Sequence, residues 1–136
     1  AEGKEFFSGF SRVIMAMVRA PKFVLTRVHG KAAGGAIGVI AASDYSIAVR
    51  DASVKLSELQ VGIGPFVVGV VIERKLGLAP FQALGVHADW HDAAWCERHG
   101  LYSALCDDTA ALDVLVGQHA KRLAASNPEA MREMKH

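Results

Sequence analysis

Lys31-Ala32-Ala33-Gly34-Gly35-Ala36-Ile37-Gly38-Val39-Ile40-Ala41-Ala42-Ser43 is a run in which, after the opening lysine, almost every side chain is small or aliphatic. A helix that is apolar on every side is a buried one, so this stretch reads as a central helix rather than a surface one. Glycines at 34, 35 and 38 remove Cβ atoms and let other backbone, or a ligand, come close. Two uses of that freedom stay open at this point. One is tight helix packing, with glycine chosen for size. The other is a helix N-terminus whose unpaired N–H groups and positive dipole end receive an anion.

Outward from this run the elements fall into place. Phe23 to Val28 is β-rich, and His29-Gly30 ends it as a turn; Asp44 closes the central helix, Tyr45 to Val49 form a strand, and Arg50-Asp51 turn into a short strand over Ser53 to Leu56. Upstream, Phe6, Phe7, Phe10, Val13, Ile14, Met17 and Val18 recur at three- and four-residue intervals, predicting an amphipathic helix from Gly3 to Ala20 that Pro21 stops. Downstream, Ser57 to Pro65 is a loop with two glycines and a proline. Pro65 suits the first turn of a helix over Phe66 to Leu76, with Gly77 as its stop. Short helices are expected over Ala79 to Leu84 and His91 to His99, and a strand over Leu101 to Leu105. Asp107-Asp108-Thr109 caps a helix to Ser126, and Asn127-Pro128 restarts a last one. No internal repeat, low-complexity tract or linker is visible.

The composition fits one domain or less. The 136 residues are 51% hydrophobic and 21% charged, with mean hydropathy +0.23, which excludes a disordered tail and a coiled coil and leaves more apolar residue than the length explains. Fifteen basic against fourteen acidic residues give a net charge of +1, so no strong field points to nucleic acid or an anionic membrane. The uncharged stretches fall short of the roughly 18 to 20 residues that span a bilayer. Two cysteines, Cys96 and Cys106, suit buried thiols in a reducing, cytoplasmic compartment better than a disulfide scaffold or a zinc site. The opening Ala1-Glu2-Gly3-Lys4-Glu5, with no initiator Met, reads as entry into a helix part-way through a protein rather than as a signal or transit peptide.

Three constellations could carry chemistry. Over the His29 to Gly38 junction, where Gly30-Lys31 would be the Gly-Lys of a P-loop, that motif is excluded, because Leu25 and Ala32 stand where Gly and Ser or Thr are needed. Gly62-Ile63-Gly64 likewise lacks a third glycine, since Val67 holds that place. Glu58 lies between an apolar strand and a Gly-Pro loop; a carboxyl desolvated there is raised toward neutrality, as a general acid or base requires, whereas a solvated loop glutamate would do nothing. His87, Asp89, His91 and Asp92 include a His-x-x-x-His pair, but no third ligand has suitable spacing, so a polar cap beside Trp90 and Trp95 is expected and no metal.

Taken together, several segments resemble the crotonase (enoyl-CoA hydratase/isomerase) superfamily. They are Pro21 to Gly30, Ala33-Gly34-Gly35 opening the small-residue helix, Ala42-Ser43-Asp44-Tyr45, Ala52 to Glu58, Val61-Gly62-Ile63-Gly64-Pro65, Asp92-Ala93-Ala94 with Gly100-Leu101, and Asn127-Pro128. The resemblance covers nearly the whole chain. It implies an α/β fold, a spiral of ββα units with C-terminal helices, and an enzyme of fatty-acid metabolism acting on acyl-CoA thioesters as hydratase (lyase) or isomerase.

By the same resemblance the enolate formed at the thioester carbonyl is held in an oxyanion hole of two backbone N–H groups. Gly35 supplies one of them, and Glu58 is the catalytic acid or base. Ala33, Gly34, Gly35, Pro65 and Phe66 are the implied substrate-binding residues, and coenzyme A enters only as part of the substrate, with no separate cofactor. One departure concerns Gly38: it stands where hydratases usually carry a second glutamate, so either Glu58 hydrates alone or it shifts a double bond. The other departure is length. Residues 1–136 correspond to the central portion of a single such domain, incomplete at both ends: N-terminal ββα units, with the second oxyanion donor, and C-terminal trimerisation helices would lie outside them. A homotrimer or hexamer is implied for the full-length protein. The alternative is a catalytically silent module of the same fold that binds acyl-CoA or serves assembly.

Overall fold

In the computed structural model, which describes residues 2–56 and 66–136, helix α1 (Glu2–Arg19) buries Ile14 and packs Met17 and Val18 on the core, whereas Val13, expected on the apolar face, is exposed, because adjacent helical positions diverge by about 100° and Ile14 takes the core side. Strand β1 (Leu25–Val28) starts two residues later than the β-rich composition predicts. The cause is Asp44, whose carboxylate accepts the Val24 N–H at 2.7 Å and whose own N–H donates to the Val24 carbonyl at 2.9 Å, so Val24 is already committed outside the ladder.

The central run divides. Lys31–Ala33 is not helical but a strand, β2, and helix α2 covers only Gly35–Ala42. The local sequence suits a helix; the partner decides otherwise. Lys31, Ala32 and Ala33 pair in parallel with Ser53, Val54 and Lys55 of β4 (Ser53–Lys55), which puts Ala32 in the core. Strand β3 (Tyr45–Val49) likewise runs parallel to β1, Leu25 opposite Tyr45 and Val28 opposite Ala48. Two ββα turns are therefore stacked in register, β1-β2-α2 on β3-β4-α3, with α3 spanning Phe66–Leu76. No matching repeat is visible in the residues, because the two turns share backbone pairing rather than side chains. This is the spiral of ββα units that the resemblance implies.

Two further strands complete the sheets. In the region expected to be one helix from His91, residues His91–Asp92 form β5, antiparallel to β4, and α5 is shortened to Ala93–Arg98. Asp92 ends the strand and caps the helix, its carboxylate accepting the Trp95 N–H at 2.8 Å. Strand β6 (Ala104–Cys106) joins β3, later than expected, because Leu101 and Ser103 are held by Ser46. The buried Ser46 hydroxyl donates to the Leu101 carbonyl at 2.6 Å, and its carbonyl accepts the Ser103 N–H at 2.7 Å. The sheets are thus ordered β1-β3-β6 and β2-β4-β5.

Gly77, at φ 85°, turns α3 directly into α4 (Leu78–His87), which runs past Gly85 and three residues beyond its expected end. Helices α6 (Thr109–Ala124) and α7 (Pro128–Lys135) follow. The first lies on the β1-β3-β6 sheet and buries Leu112; the second is tied down by Lys135. That ammonium, with its side chain only 3% exposed, donates to the carbonyls of Met17 and Lys22 at 2.8 Å each and pairs with Asp44 at 3.0 Å. The core between the layers centres on Ile37, Ile47, Val54, Ile72, Leu84 and Leu101, each at most 2% exposed. Burial of each such aliphatic stabilises by about 1.5–3 kcal/mol. Among the described residues, no helix is long and apolar enough to cross a membrane.

Candidate functional site

The first turn of α2 is where the fold concentrates chemistry. Strand β2 ends at Ala33, whose side is exposed, and Gly34 then takes φ 57° and ψ −120°, a backbone conformation that L side chains rarely adopt. Its N–H still donates to the Lys55 carbonyl at 3.1 Å, so the neighbouring strand holds the turn in place. One residue on, Gly35 is helical. The bend points the start of α2 away from the ladder, and the helix begins with no side-chain cap and no acid in its first turn. The leading N–H groups of an α-helix have no intrahelical acceptor, and the first in-helix donor here is Ile37, bonded to the Gly34 carbonyl at 3.0 Å.

The other end of α2 is fully served. Ser43 closes it with its N–H and its hydroxyl, which donates to the Ile40 carbonyl at 2.6 Å, and the Lys75 ammonium donates to the Ser43 carbonyl at 3.0 Å. Burial lowers the pKa of Lys75, with nearby Asp44 acting in the opposite sense. A cation belongs at this negative end. What remains on offer is the positive end at Gly35, with a half-buried glycine that brings no Cβ between ligand and donor.

Of the residues singled out from sequence, Ala33, Gly34 and Gly35 are brought together at this junction. Phe66 opens α3. Glu58 and Pro65 lie outside the described residues. Gly38 is buried beneath α3: a Cβ built there would fall 2.7 Å from the Cβ of Val68 and closer still to its Cγ1. Two contributors escaped sequence reasoning, the Lys55 carbonyl and Val68. Neither carries a signal of its own, since one acts through backbone and the other through a contact across helices.

The remaining polar clusters have structural employment. His87, His91, Trp95 and His99 form a column of rings with successive centroids 5.3, 4.4 and 4.6 Å apart, and the His91 Nδ1 lies 3.1 Å from the Asp89 carbonyl. Trp90 sits under the ammonium groups of Lys31 and Lys55, at 4.9 and 5.7 Å. Among the described residues, no three His, Cys, Asp or Glu side chains converge as metal ligands would. Both cysteines are buried and free. Burial pushes the Cys96 thiol up to about 12, partly offset by Tyr102 beside it, so it stays protonated and unreactive.

Comparison with known proteins follows the same lines. A family model described as Enoyl-CoA hydratase/isomerase matches residues 2–136. The bacillaene synthase dehydratase PksH of Bacillus subtilis is 28% identical over 121 residues, which are 89% of this chain and 46% of that protein. Among solved structures, an enoyl-CoA hydratase from Shewanella pealeana superposes with TM-score 0.90 at 28% identity, over 98% of this chain and 49% of the other. AtuE of Pseudomonas aeruginosa gives TM-score 0.91 at 27% identity, over 99% and 53%. The chain spans about half the length of the relatives it matches.

Proposed function

The chain belongs to the enoyl-CoA hydratase/isomerase family, and on that premise we propose that the first turn of α2 is the oxyanion site of an acyl-CoA-converting enzyme, with Glu58 as its general acid or base. The observation that carries this reading is the Gly34-Gly35 bend, pinned to the Lys55 carbonyl and presenting an uncapped helix start. A thioester oxygen placed there meets the Gly35 N–H and the positive end of the helix dipole. Both interactions strengthen as the oxygen gains charge, and one such donor contributes roughly 2.7–4 kcal/mol to the transition state.

The proton traffic falls to Glu58. As carboxylate it takes a proton from a carbon near the thioester, and the electron pair moves onto the carbonyl oxygen held by Gly35. As carboxylic acid it returns that proton, to the same carbon or to one further along the conjugated chain, and the enolate collapses. Ala33, Gly34, Pro65 and Phe66 line the thioester and acyl pocket in this reading, and the assembled protein is a trimer or hexamer. Glu58→Gln keeps size and shape but cannot exchange the proton. Turnover of short, branched and aromatic enoyl-CoA substrates, followed for hydration and for double-bond migration, should fall about 10²–10⁴-fold. Unchanged turnover removes Glu58 from the mechanism. The closure of position 38 favours a second reading, a module that binds acyl-CoA without converting it. Acyl-CoA binding with no turnover of any substrate would select it.

A further inference from the structure

We infer that Val68 determines which reaction this site runs, by filling the space beside Gly38 in which a second proton-transferring side chain would stand. The inference rests on the oxyanion reading of Gly35. Residues three apart on a helix share a face, so a side chain at position 38 would rise next to the Gly35 donor. That space is taken. A Cβ at Gly38 would lie 2.7 Å from the Cβ of Val68, nearer than Cβ atoms approach in proteins, and 3.5 Å from its Cα.

Rotation cannot relieve the contact. Turning χ1 of Val68 moves its methyl groups but leaves its Cβ where it is, and Val68 is 5% exposed, in the core with Val71 and Ile72 of the same helix. A side chain at position 38 therefore forces α2 and α3 apart while residue 68 carries a Cβ, whatever the chemistry of that side chain. Glycine at 38 and valine at 68 are a matched pair.

The chemical consequence concerns proton count. Adding water across the C2=C3 bond of an enoyl thioester makes an O–C3 bond and a C2–H bond; the water gives up one proton to a base while a proton arrives at C2. Two groups on opposite sides of the water serve this best. Moving a double bond needs one group, which takes a proton from one carbon and delivers it to another, with no other reactant. With position 38 closed by Val68, helix α2 supplies no second carrier, and Glu58 is the carrier that the oxyanion reading provides. The site therefore favours enoyl thioesters whose double bond migrates over those that are hydrated.

The test pairs the two positions in the protein as its reading frame encodes it. Gly38→Ala should lower Tm by at least about 5 °C, as overpacking does, and the same substitution should cost little in a Val68→Gly background, the double variant melting close to Val68→Gly alone. Wild type should isomerise enoyl-CoA substrates at least 10-fold faster than it hydrates them. Gly38→Glu with Val68→Gly should raise the ratio of hydration to isomerisation at least 10-fold over the Gly38→Gln, Val68→Gly control. A wild-type Tm for Gly38→Ala, an undiminished Tm loss from Gly38→Ala in the Val68→Gly background, no rise in that ratio for the double variant, or hydration gained by Gly38→Glu alone would each overturn the inference. So would a wild type that hydrates as fast as it isomerises. A protein inert on all enoyl thioesters, with the thermal coupling of positions 38 and 68 intact, would instead overturn the oxyanion reading and the reaction choice with it.

Discussion

Helices α2 and α6 start in opposite ways. Asp108 precedes α6, and its carboxylate accepts the Ala111 N–H at 2.8 Å; α7 repeats the device with Asn127, which accepts from Glu129 at 2.9 Å and Ala130 at 3.1 Å. Such caps stabilise a helix locally, and both helices need it, since α6 buries only Leu112 and α7 buries no apolar residue fully. Helix α2 has a glycine in the left-handed region instead of a cap, yet its Ile37, Gly38, Ile40, Ala41 and Ala42 are buried. Its stability comes from the core, which frees its first turn from serving stability at all. Glycine also precedes α4, but there Gly77 turns the chain directly out of α3 and the start is exposed. The contrast teaches that an uncapped start carries functional meaning only where burial of the rest of the helix removes the need for a cap.

This division can be broken by experiment. Gly35→Pro deletes the proposed donor at a position where proline is tolerated, the first residue of a helix; kcat should fall about 10²–10³-fold with little change in Tm. An equal loss of stability would mean that the junction is structural. At the other extreme, Lys135→Met removes the buried ammonium that fastens α7 to Met17, Lys22 and Asp44. Denaturant unfolding should show a loss of about 2 kcal/mol with unchanged kcat, because Asp44 keeps the Val24 N–H as partner. Asp108→Ala is the smallest of the three, about 1 kcal/mol of stability and no effect on turnover. A kinetic effect from that cap would erase the distinction between the two kinds of helix start.

Much of this was legible from residues alone, and unevenly so. The boundaries of β3 and α3 follow from composition, Pro65 and Gly77, and the caps at Asp108 and Asn127 from their chemistry. Strands β2 and β5 were not legible. Lys31-Ala32-Ala33 favours helix by local propensity, and His91-Asp92 is too short to show alternation; both became strands because β4 lies between them and offers free ladder groups on each side. At the site, Gly34 and Gly35 announced a close approach, and the resemblance attached it to a thioester oxygen. Gly38 read as a missing acid and as one of three glycines open to close approach, with no sign of what approaches it. Packing is decided for it by Val68, thirty positions away in the chain and touching it only after folding.

By itself the sequence determined the apolar helix at the centre, its glycine-opened start and the family pattern, because side-chain size, backbone freedom and hydrophobic periodicity are local properties that residues carry into any context. Tertiary structure alone decided which face of that helix stays open. The Lys55 carbonyl holds Gly34 in its bend and Val68 seals the face beside Gly38, and both act through distances of a few ångströms between segments brought together by stacking one ββα turn on the next.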